Sequence, residues 1–306
     1  MPTERPPTID PAAASRWANS LRGAAPWLHE EVARRMADRL QWIKMQPHAW
    51  ADWEPLRGGL AGHAVVAQRY PTADCFVVEP NPARLLAAQR ALRKPWWVAW
   101  SGSVRRPVFE VPGGGAVQMV WANMAMHMAA DPQALVHQWH RLLAADGFLM
   151  FSCLGPDTLR ELRSLYQTLG WGPPAHEFTD MHDWGDMLVN AGFAEPVMDM
   201  ERITLTFGTS ERLLAELRQL GRNLHPARFA ALRGKAWHAQ LLRQMAAQAA
   251  TSNLDQPHAL TFEIIYGHAL KAQPRLPVHG ETAVSLDEMR RLLRQGGSGR
   301  AGLGKH

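Results

Sequence analysis

The chain has 306 residues, of which 46% are hydrophobic and 20% charged, and its formal net charge is +5. This is the composition of a globular protein that buries a substantial core, and no stretch approaches the roughly 18 consecutive apolar residues that would cross a membrane. The basic excess favours an acidic partner: nucleic acid, an anionic carrier protein or an anionic small molecule. Because the arginines are scattered and form no Lys/Arg block, nucleic acid is the weaker option.

Residues 1 to 11 are polar and rich in proline, without the apolar region of a signal peptide. We expect them to be disordered, since they cannot bury enough surface to offset chain entropy, and we expect a cytoplasmic protein without membrane contact. Cys75 and Cys153 lie within apolar runs of strand length. This placement predicts buried, reduced thiols and no disulfide or metal site.

The first half of the chain contains a possible cofactor loop. Apolar residues between 12 and 45 recur at three- and four-residue steps, which predicts one or two amphipathic helices. A short strand at 49–53, a glycine loop and a helix at 63–69 follow, and this order can place backbone N–H groups against a cofactor. The next strand ends at Glu79, 17 residues after Gly62. Glu79 can accept ribose hydroxyls there, or it can simply mark where a strand reaches solvent.

The second half predicts a wound sheet. A third short strand is expected at 96–100, and an apolar run at 117–123 ends in Asn123 before a helix at 131–144 and a strand at 148–153. Such a strand-helix-strand unit implies parallel strands. The remaining pattern predicts helices at 157–169 and 181–191, a strand at 196–207, a helical insertion over 208–256 and a last strand at 259–268. We expect a single domain over 12–290, with 12–45 as N-terminal helices, and a disordered Gly-rich tail over 291–306.

Several motifs carry a family likeness. They are Asn123-Met-Ala-Met-His, Trp139-His-Arg-Leu-Leu, Phe151-Ser-Cys-Leu-Gly-Pro-Asp-Thr-Leu-Arg-Glu-Leu, Phe178-Thr-Asp-Met-His-Asp, Pro196-Val-Met-Asp-Met-Glu-Arg-Ile-Thr-Leu-Thr and Phe262-Glu-Ile-Ile-Tyr-Gly-His. Together they resemble class I methyltransferases of the BioC type, the malonyl-acyl-carrier-protein O-methyltransferases of biotin synthesis. The likeness covers roughly residues 30 to 280, and these motifs are more specific than a glycine loop.

The resemblance implies an α/β, Rossmann-like class I methyltransferase with a seven-stranded, mostly parallel sheet and a helical cap. It implies S-adenosyl-L-methionine as cofactor and an acidic acyl carrier protein with a bound acyl group as partner. The cofactor contacts it implies are Asp52, Gly58, Gly59, Gly62, Glu79, Ser101 and Asn123. The substrate contacts it suggests are His127, Phe178 and a cation that holds a carboxylate, for which Arg160, Arg163, Arg202 and Arg222 are candidates. Each of these arginines can instead be a solvated helix-face residue.

The chain departs from the family pattern at three places. Arg57 brings positive charge to a loop that should bind a cationic sulfonium, which is unfavourable unless Arg57 turns outward or pairs with Asp52 or Glu54. Ser101 stands near the position where an acidic residue reads adenine in the family. Glu177 precedes Phe178 where arginine is common, and a carboxylate there would repel a malonyl carboxylate.

Other candidates have a structural alternative. His127 is either a substrate contact or a packed side chain. His137 and His140 have a helical spacing that can bind a metal, but no third ligand is evident, so we predict no metal site. Arg212, Arg218, Arg222, Arg228 and Arg233 in the helical insertion would suit an acidic carrier protein.

Three functions therefore remain open from the sequence. The first is methylation of a carboxyl group on malonyl-acyl carrier protein, which needs no catalytic dyad because a carboxylate is already ionised at neutral pH. The second is a methyltransferase of the same fold with another acceptor, motivated by Glu177. The third is a binding or regulatory protein that has lost the cofactor, motivated by Pro55, Arg57 and Ser101.

Overall fold

A computed structural model describes residues 9–21, 24–93, 105–250 and 258–273, together with Asp287 and Arg290. The chain divides into two compact units, Met1–Ala272 and Gln273–His306, and nearly all of the second lies outside the described residues. The sheet and the helices that cover it belong to the first unit. The sequence placed the end of the domain at 290, beyond this division, and the tail predicted at 291–306 lies outside the described residues.

One mixed sheet of six strands forms within the described part of the chain. The strands are β1 Ala49–Trp53, β2 Asp74–Val78, β3 Val117–Ala122, β4 Leu143–Leu154, β5 Phe193–Phe207 and β6 His258–Lys271. Their order is β2-β1-β3-β4-β6-β5, with β1 to β4 parallel and β6 antiparallel to both neighbours. The predicted α/β class and mostly parallel sheet are confirmed. The structure has six strands where seven were expected, and the strand predicted at 96–100 lies outside the described residues.

Helices cover both faces of the sheet. They are α1 Pro11–Ala18, α2 Trp27–Arg39, α3 Pro55–Gly58, α4 Leu60–Arg69, α5 Pro82–Ala91, α6 Pro132–Leu142, α7 Arg160–Thr168, α8 Met181–Asn190, α9 Ser210–Leu220 and α10 Lys235–Ala250. Helices α9 and α10 lie between β5 and β6 in the chain, within the predicted helical insertion. In the described ranges, no helix has the length and apolar character needed to span a membrane.

Strand β3 shows how the core is divided. Met119 and Trp121 pack into the layer that contains α2, α4 and α7, whereas Val120 and Ala122 pack into the layer of α6 and α8. Successive side chains of a strand point to opposite faces, so a strand between two helical layers is apolar at nearly every position, and in β3 only Gln118 is polar. Cys75 and Cys153 lie in these cores as buried, free thiols, as predicted.

The sequence predicted that the ordered part of the chain begins at residue 12, but in the structure it begins earlier. Ile9 is buried, and the Asp10 side chain caps α1 by accepting hydrogen bonds from the backbone N–H groups of Ala12 and Ala13. Asp10 also pairs with Arg228, at 2.6 Å. The contact with Arg228 explains the difference, because it joins residues far apart in the chain, whereas the Asp10 cap before Pro11 is a local signal that sequence reasoning missed. Residues 1–8 lie outside the described residues.

Candidate active site

The carboxyl ends of parallel strands β1 to β4 lie at one edge of the sheet. Ligands of open α/β sheets bind at this edge because the loops that follow adjacent strands converge there. Three non-glycine residues in these loops have left-handed backbone conformations: Glu54 (φ 53°), Met124 (φ 54°) and Leu159 (φ 60°). Each costs on the order of 1–3 kcal/mol, so tertiary contacts must hold the loops in place.

We call the region that the resemblance assigns to the cofactor the glycine-loop site, comprising residues 52–62, Glu79 and Asn123. Its loop packs against helix α2. The Glu30 carboxylate Oε2 accepts hydrogen bonds from the backbone N–H groups of Ala61 (3.0 Å) and Gly62 (3.2 Å). A β-carbon on Gly59 would collide with this carboxylate, and one on Gly62 would collide with Ala33. In this structure these two glycines therefore permit the close approach of α2.

Asp52, at the carboxyl end of β1, is buried and pairs with a histidine. Its Oδ2 lies 2.7 Å from Nδ1 of His63, and only 2% of Asp52 is exposed. Burial raises the pKa of Asp52, and the hydrogen bond with His63 opposes that rise. Asp52, which the resemblance implies as a cofactor contact, has His63 as its partner here.

Glu79, at the end of β2, is buried. The alternative that it simply marks where a strand reaches solvent is therefore wrong. Arg84 Nε lies 2.9 Å from Glu79 Oε2, and the Leu56 N–H donates to Oε1 at 3.3 Å. Arg84 also donates to Glu54 at 2.9 Å. Burial raises the pKa of Glu79, and Arg84 opposes that rise. Both carboxylate oxygens of Glu79 are thus engaged within the chain, and its role toward a ribose stays a prediction.

Arg57 pairs with Glu54, which is one of the arrangements that would make its charge acceptable in this loop. Its Nη1 lies 3.6 Å from the Glu54 carboxylate. Its Nη2 donates to the backbone carbonyl of Trp17 in α1, and the guanidinium lies 4.6 Å from the centroid of the Trp17 ring. The positive charge is therefore partly neutralised and directed at the end of α1.

Asn123 ties the loop after β3 to the glycine loop. Its Nδ2 donates to the backbone carbonyls of His29, at 2.8 Å, and of Gly58, while its Oδ1 accepts from Ser152 Oγ at 2.6 Å. The side chain is buried. All these bonds are made to protein groups. Ser101, the remaining predicted cofactor residue, lies outside the described residues.

The space left beside these groups is small. A cavity of about 40 Å³ lies between the loop and the N-terminal helices, lined by Trp17, His29, Arg57 and Met124 among others. Small-molecule sites usually enclose about 300–1,000 Å³. A more open cleft of about 470 Å³ adjoins Trp53 and Glu54, but the loop glycines, Glu79 and Asn123 do not line it. The glycine-loop site has suitable chemistry for a ribose and an amino-acid group, but only Trp53, Glu54 and Arg57 of its residues face the larger cleft.

A second cavity of about 110 Å³ lies beside the carboxyl end of β4, and we call it the β4 cavity. It brings together two predicted substrate residues, His127 and Phe178, whose rings lie 5.9 Å apart. Its lining is mainly apolar and includes His127, Leu159, Leu162, His176, Phe178, Arg222 and Phe262. This lining, mainly apolar with a few polar groups, has the composition of a small-molecule site, and the volume of the cavity is below the usual range of about 300–1,000 Å³.

His176 is the polar residue of this cavity that sequence reasoning missed. Its Nε2 donates to the backbone carbonyl of His127 at 2.9 Å, which makes Nδ1 the hydrogen-bond acceptor of the neutral ring. Nδ1 is buried and has no hydrogen-bond partner within the described residues. Burial lowers the pKa of His176 to about 4, so the ring is neutral at pH 7. A buried acceptor without a partner is rare and suits a ligand that carries an N–H or O–H group.

The predicted arginines separate in the structure. Arg222 lines the β4 cavity. Arg163 donates to the backbone carbonyl of His176 at 2.9 Å and thereby holds the cavity wall. Arg160 is exposed, pairs with Glu161 at 3.3 Å and does not line the cavity. Arg222 is therefore the predicted cation that lies in the wall of this cavity, where its Nη1 donates to the backbone carbonyls of Arg218 and Gly221, both at 2.8 Å.

The remaining candidates lie at the surface or in packing contacts. Arg202 pairs with Asp157 at 2.7 Å, and the Glu177 side chain is exposed. The His140 ring packs edge-on against Phe193, with centroids 4.9 Å apart. In the described ranges, no group of three or more His, Cys, Asp or Glu side chains is placed to hold a metal ion.

Solved structures share this fold. The YcgJ protein of Bacillus subtilis superposes with a TM-score of 0.52 at 14% identity, covering 80% of this chain and 100% of that one. A methyltransferase candidate from Bacillus halodurans gives 0.50 at 14% identity, covering 78% and 100%. The wound sheet with its antiparallel β6 and its glycine loop at the carboxyl edge is that of the Rossmann-like class I methyltransferases.

Sequence relatives define the family more narrowly. The malonyl-[acyl-carrier protein] O-methyltransferase of Gallionella capsiferriformans is 37% identical over 279 residues, which are 89% of this chain and 93% of the relative. Those of Laribacter hongkongensis (36%, 81% and 84%) and Legionella pneumophila (31%, 81% and 85%) bear the same name. No family model matches the chain. The chain belongs to the malonyl-[acyl-carrier protein] O-methyltransferase family, which confirms the resemblance.

Sequence reasoning missed three residues that decide the state of this edge: Glu30, Arg84 and His176. Glu30 lies in the polar part of an amphipathic helix, where a carboxylate ordinarily faces solvent. Arg84 follows Glu79 by five residues, and this spacing was the available local signal for a pair. His176 stands two residues before Phe178 and just outside the motif that begins there, so no motif drew attention to it.

Proposed function

We propose that this protein transfers the methyl group of S-adenosyl-L-methionine to a carboxyl group of malonyl-acyl carrier protein in the cytoplasm, as a step of biotin synthesis. The observation that carries the proposal is family membership over more than four fifths of the chain. The β4 cavity supports it, because an apolar chamber with Arg222 in its wall suits a short acyl group that ends in a carboxylate.

The acceptor chemistry asks little of the protein beyond positioning. A malonyl carboxylate is ionised at neutral pH and needs no general base to become a nucleophile. Alignment and exclusion of water supply the rate. The residues of the chain that do this are Phe178 and Leu162, which form apolar wall, Arg163, which holds that wall, and Arg222, which supplies positive charge.

The surface of the helical insertion supports an acidic carrier protein as partner. Between residues 208 and 250 its basic residues are Arg212, Arg218, Arg222, Arg228, Arg233, Lys235 and Arg243, against the acids Glu211 and Glu216. Arg228 pairs with Asp10, and Arg233 packs on Phe229 and Trp237. The side chains of Arg212, Arg218 and Arg222 are exposed, and their positive charge would steer an acidic partner.

The test is a direct assay of the full chain with S-adenosylmethionine and malonyl-acyl carrier protein, read by intact mass of the carrier. We expect a carrier one methyl group heavier, and no change for carrier that lacks malonyl. Complementation of a biotin auxotroph gives the same answer in cells. Cofactor turnover on other acids, with no malonyl ester and no complementation, would contradict the malonyl assignment.

One observation favours a second candidate, a binding protein that does not use the cofactor. The glycine-loop site has Glu30, Arg84 and His29 as internal partners. Calorimetric titration with S-adenosylmethionine and S-adenosylhomocysteine separates the two functions. Absence of binding at millimolar ligand, in the native chain and in variants that open the site, would favour the binding protein.

A further inference from the structure

The N-terminal helices and the glycine-loop site are joined by several polar contacts. We propose that α1 and α2 form an internal closure of this site, in which the Glu30 carboxylate occupies the amide groups at the start of α4 in place of an external ligand. The identity of the displaced ligand rests on the proposed function, whereas the closure itself does not.

The Glu30 contact is the centre of the closure. The first backbone N–H groups of a helix have no partner within the helix and attract a carboxylate. The N–H groups of Ala61 and Gly62 receive one from Glu30, which arrives from a separate helix 31 and 32 residues earlier in the chain. No side chain of α4 itself caps this end. A second carboxylate cannot bind these amides while Glu30 is in place.

Helix α2 is fixed to the loop on its other side as well. The backbone carbonyl of His29 accepts the Asn123 amide at 2.8 Å, and the His29 ring Nδ1 lies 2.7 Å from the backbone carbonyl of Arg57. His29 and Asn123 are buried. The closure therefore engages the loop after β1 and the loop after β3 through adjacent residues of one helix.

Helix α1 is held by the two arginines of the site. Arg57 donates to the carbonyl of Trp17, and Arg84 donates to the carbonyl of Ala18. These are the last residues of α1, where the helix dipole attracts positive charge, and the Trp17 carbonyl also accepts hydrogen bonds from the Ser20 N–H at 3.0 Å and the Ser20 Oγ at 2.8 Å. Arg84 simultaneously holds Glu79. The arginine that engages the predicted ribose carboxylate is thus the one that fastens the covering helix.

A closed site lowers apparent affinity without changing the contacts a ligand makes once bound. The apparent dissociation constant is the intrinsic one divided by the fraction of molecules that are open. Weakening the closure should therefore tighten binding, which is the opposite of what loss of a ligand contact does. This difference in sign makes the proposal testable at Glu30.

The experiment compares the native chain with Glu30→Gln, which keeps the shape of the side chain and removes its charge. Asp38→Asn is the matched control, since it removes one charge from the same helix and Asp38 pairs with Arg34 at the surface. Hydrogen exchange of residues 59–62 reports the closure, and calorimetry with S-adenosylhomocysteine reports the ligand site. Exchange in β3 and β4 checks that each variant is folded. If Glu30→Gln does not fold, Glu30→Asp replaces it in the comparison.

We expect faster exchange at Ala61 and Gly62 in Glu30→Gln, about tenfold tighter binding of S-adenosylhomocysteine and neither change in Asp38→Asn. Unchanged exchange, or weaker binding in Glu30→Gln than in the native chain, would overturn the closure. Faster exchange with no binding by either protein at millimolar ligand would uphold the closure and overturn the cofactor-dependent function.

Discussion

Two regions of the same sheet edge differ in how their polar groups are used. In the glycine-loop site, Glu79, Asn123 and the first amides of α4 all have partners inside the chain, and the neighbouring cavity measures about 40 Å³. In the β4 cavity, His176 keeps an unpartnered acceptor and the space measures about 110 Å³. Paired polar groups stabilise a fold, whereas an unpaired buried one costs free energy that a ligand can recover. The β4 cavity thus keeps a polar group available to a ligand, whereas the polar groups of the glycine-loop site are engaged within the chain.

The largest effect that would sharpen this comparison is expected at Arg84. Arg84→Met removes the cation between Glu79 and Glu54, and 3% of Arg84 is exposed. Breaking one partner from a buried ion pair should lower the free energy of unfolding by about 3–5 kcal/mol. Urea unfolding measures it, with exposed Arg90→Met on the same helix as control. A loss no larger than that of the control would mean that Arg84 does not hold the closed site.

The next effect concerns the acid stability of the β4 cavity. Because the pKa of His176 is lowered to about 4 from 6.5, the unfolded chain takes up a proton as pH falls below 6.5 while the folded chain does not. The stability due to the neutral ring is present above pH 6.5 and lost toward pH 4. Between pH 7 and pH 5 this costs about 2 kcal/mol.

His176→Gln should remove that share of the pH dependence. Urea unfolding at pH 7 and pH 5 would show a difference about 2 kcal/mol smaller than in the native chain. His137→Gln, at an exposed position, is the matched control. If the difference in unfolding free energy between pH 7 and pH 5 were the same in His176→Gln and in the native chain, the pKa of His176 would not be lowered in the folded state.

A smaller effect is expected at the wall of the β4 cavity. Arg222→Ala should raise the KM for malonyl-acyl carrier protein about tenfold, since a hydrogen bond to a charged group contributes about 1.5–3 kcal/mol. Steady-state kinetics measures it, with Arg160→Ala as control because Arg160 is exposed and does not line the cavity. Equal KM values for the two variants would place the carboxylate elsewhere.

The smallest effect is expected at Glu177, where the sequence pattern suggested repulsion of a malonyl carboxylate. The side chain is exposed, so water and salt screen its charge. Glu177→Gln should change kcat/KM by less than about twofold. An increase of tenfold or more would show that Glu177 turns toward the substrate and would revive the hypothesis of a different acceptor.

The amino-acid sequence by itself determined the class of fold, the position of its elements and the family. The apolar run from Val117 to Ala122 and the periodic helix after Asp131 are local patterns, and both appear in the structure within a few residues of their predicted bounds. The motifs around Phe151 and Phe178 gave the family for the same reason, because short runs of residues carry them.

Only the tertiary structure decided which polar groups meet at the sheet edge. Glu30 and Gly62, or Asn123 and His29, are far apart in the chain and are brought together by the order of the strands and the packing of α2. Hydrophobic periodicity determines which face of an element is buried, but it does not encode which donor a buried carboxylate will find. The closed glycine-loop site and the open β4 cavity could therefore not be distinguished before the elements were placed in space.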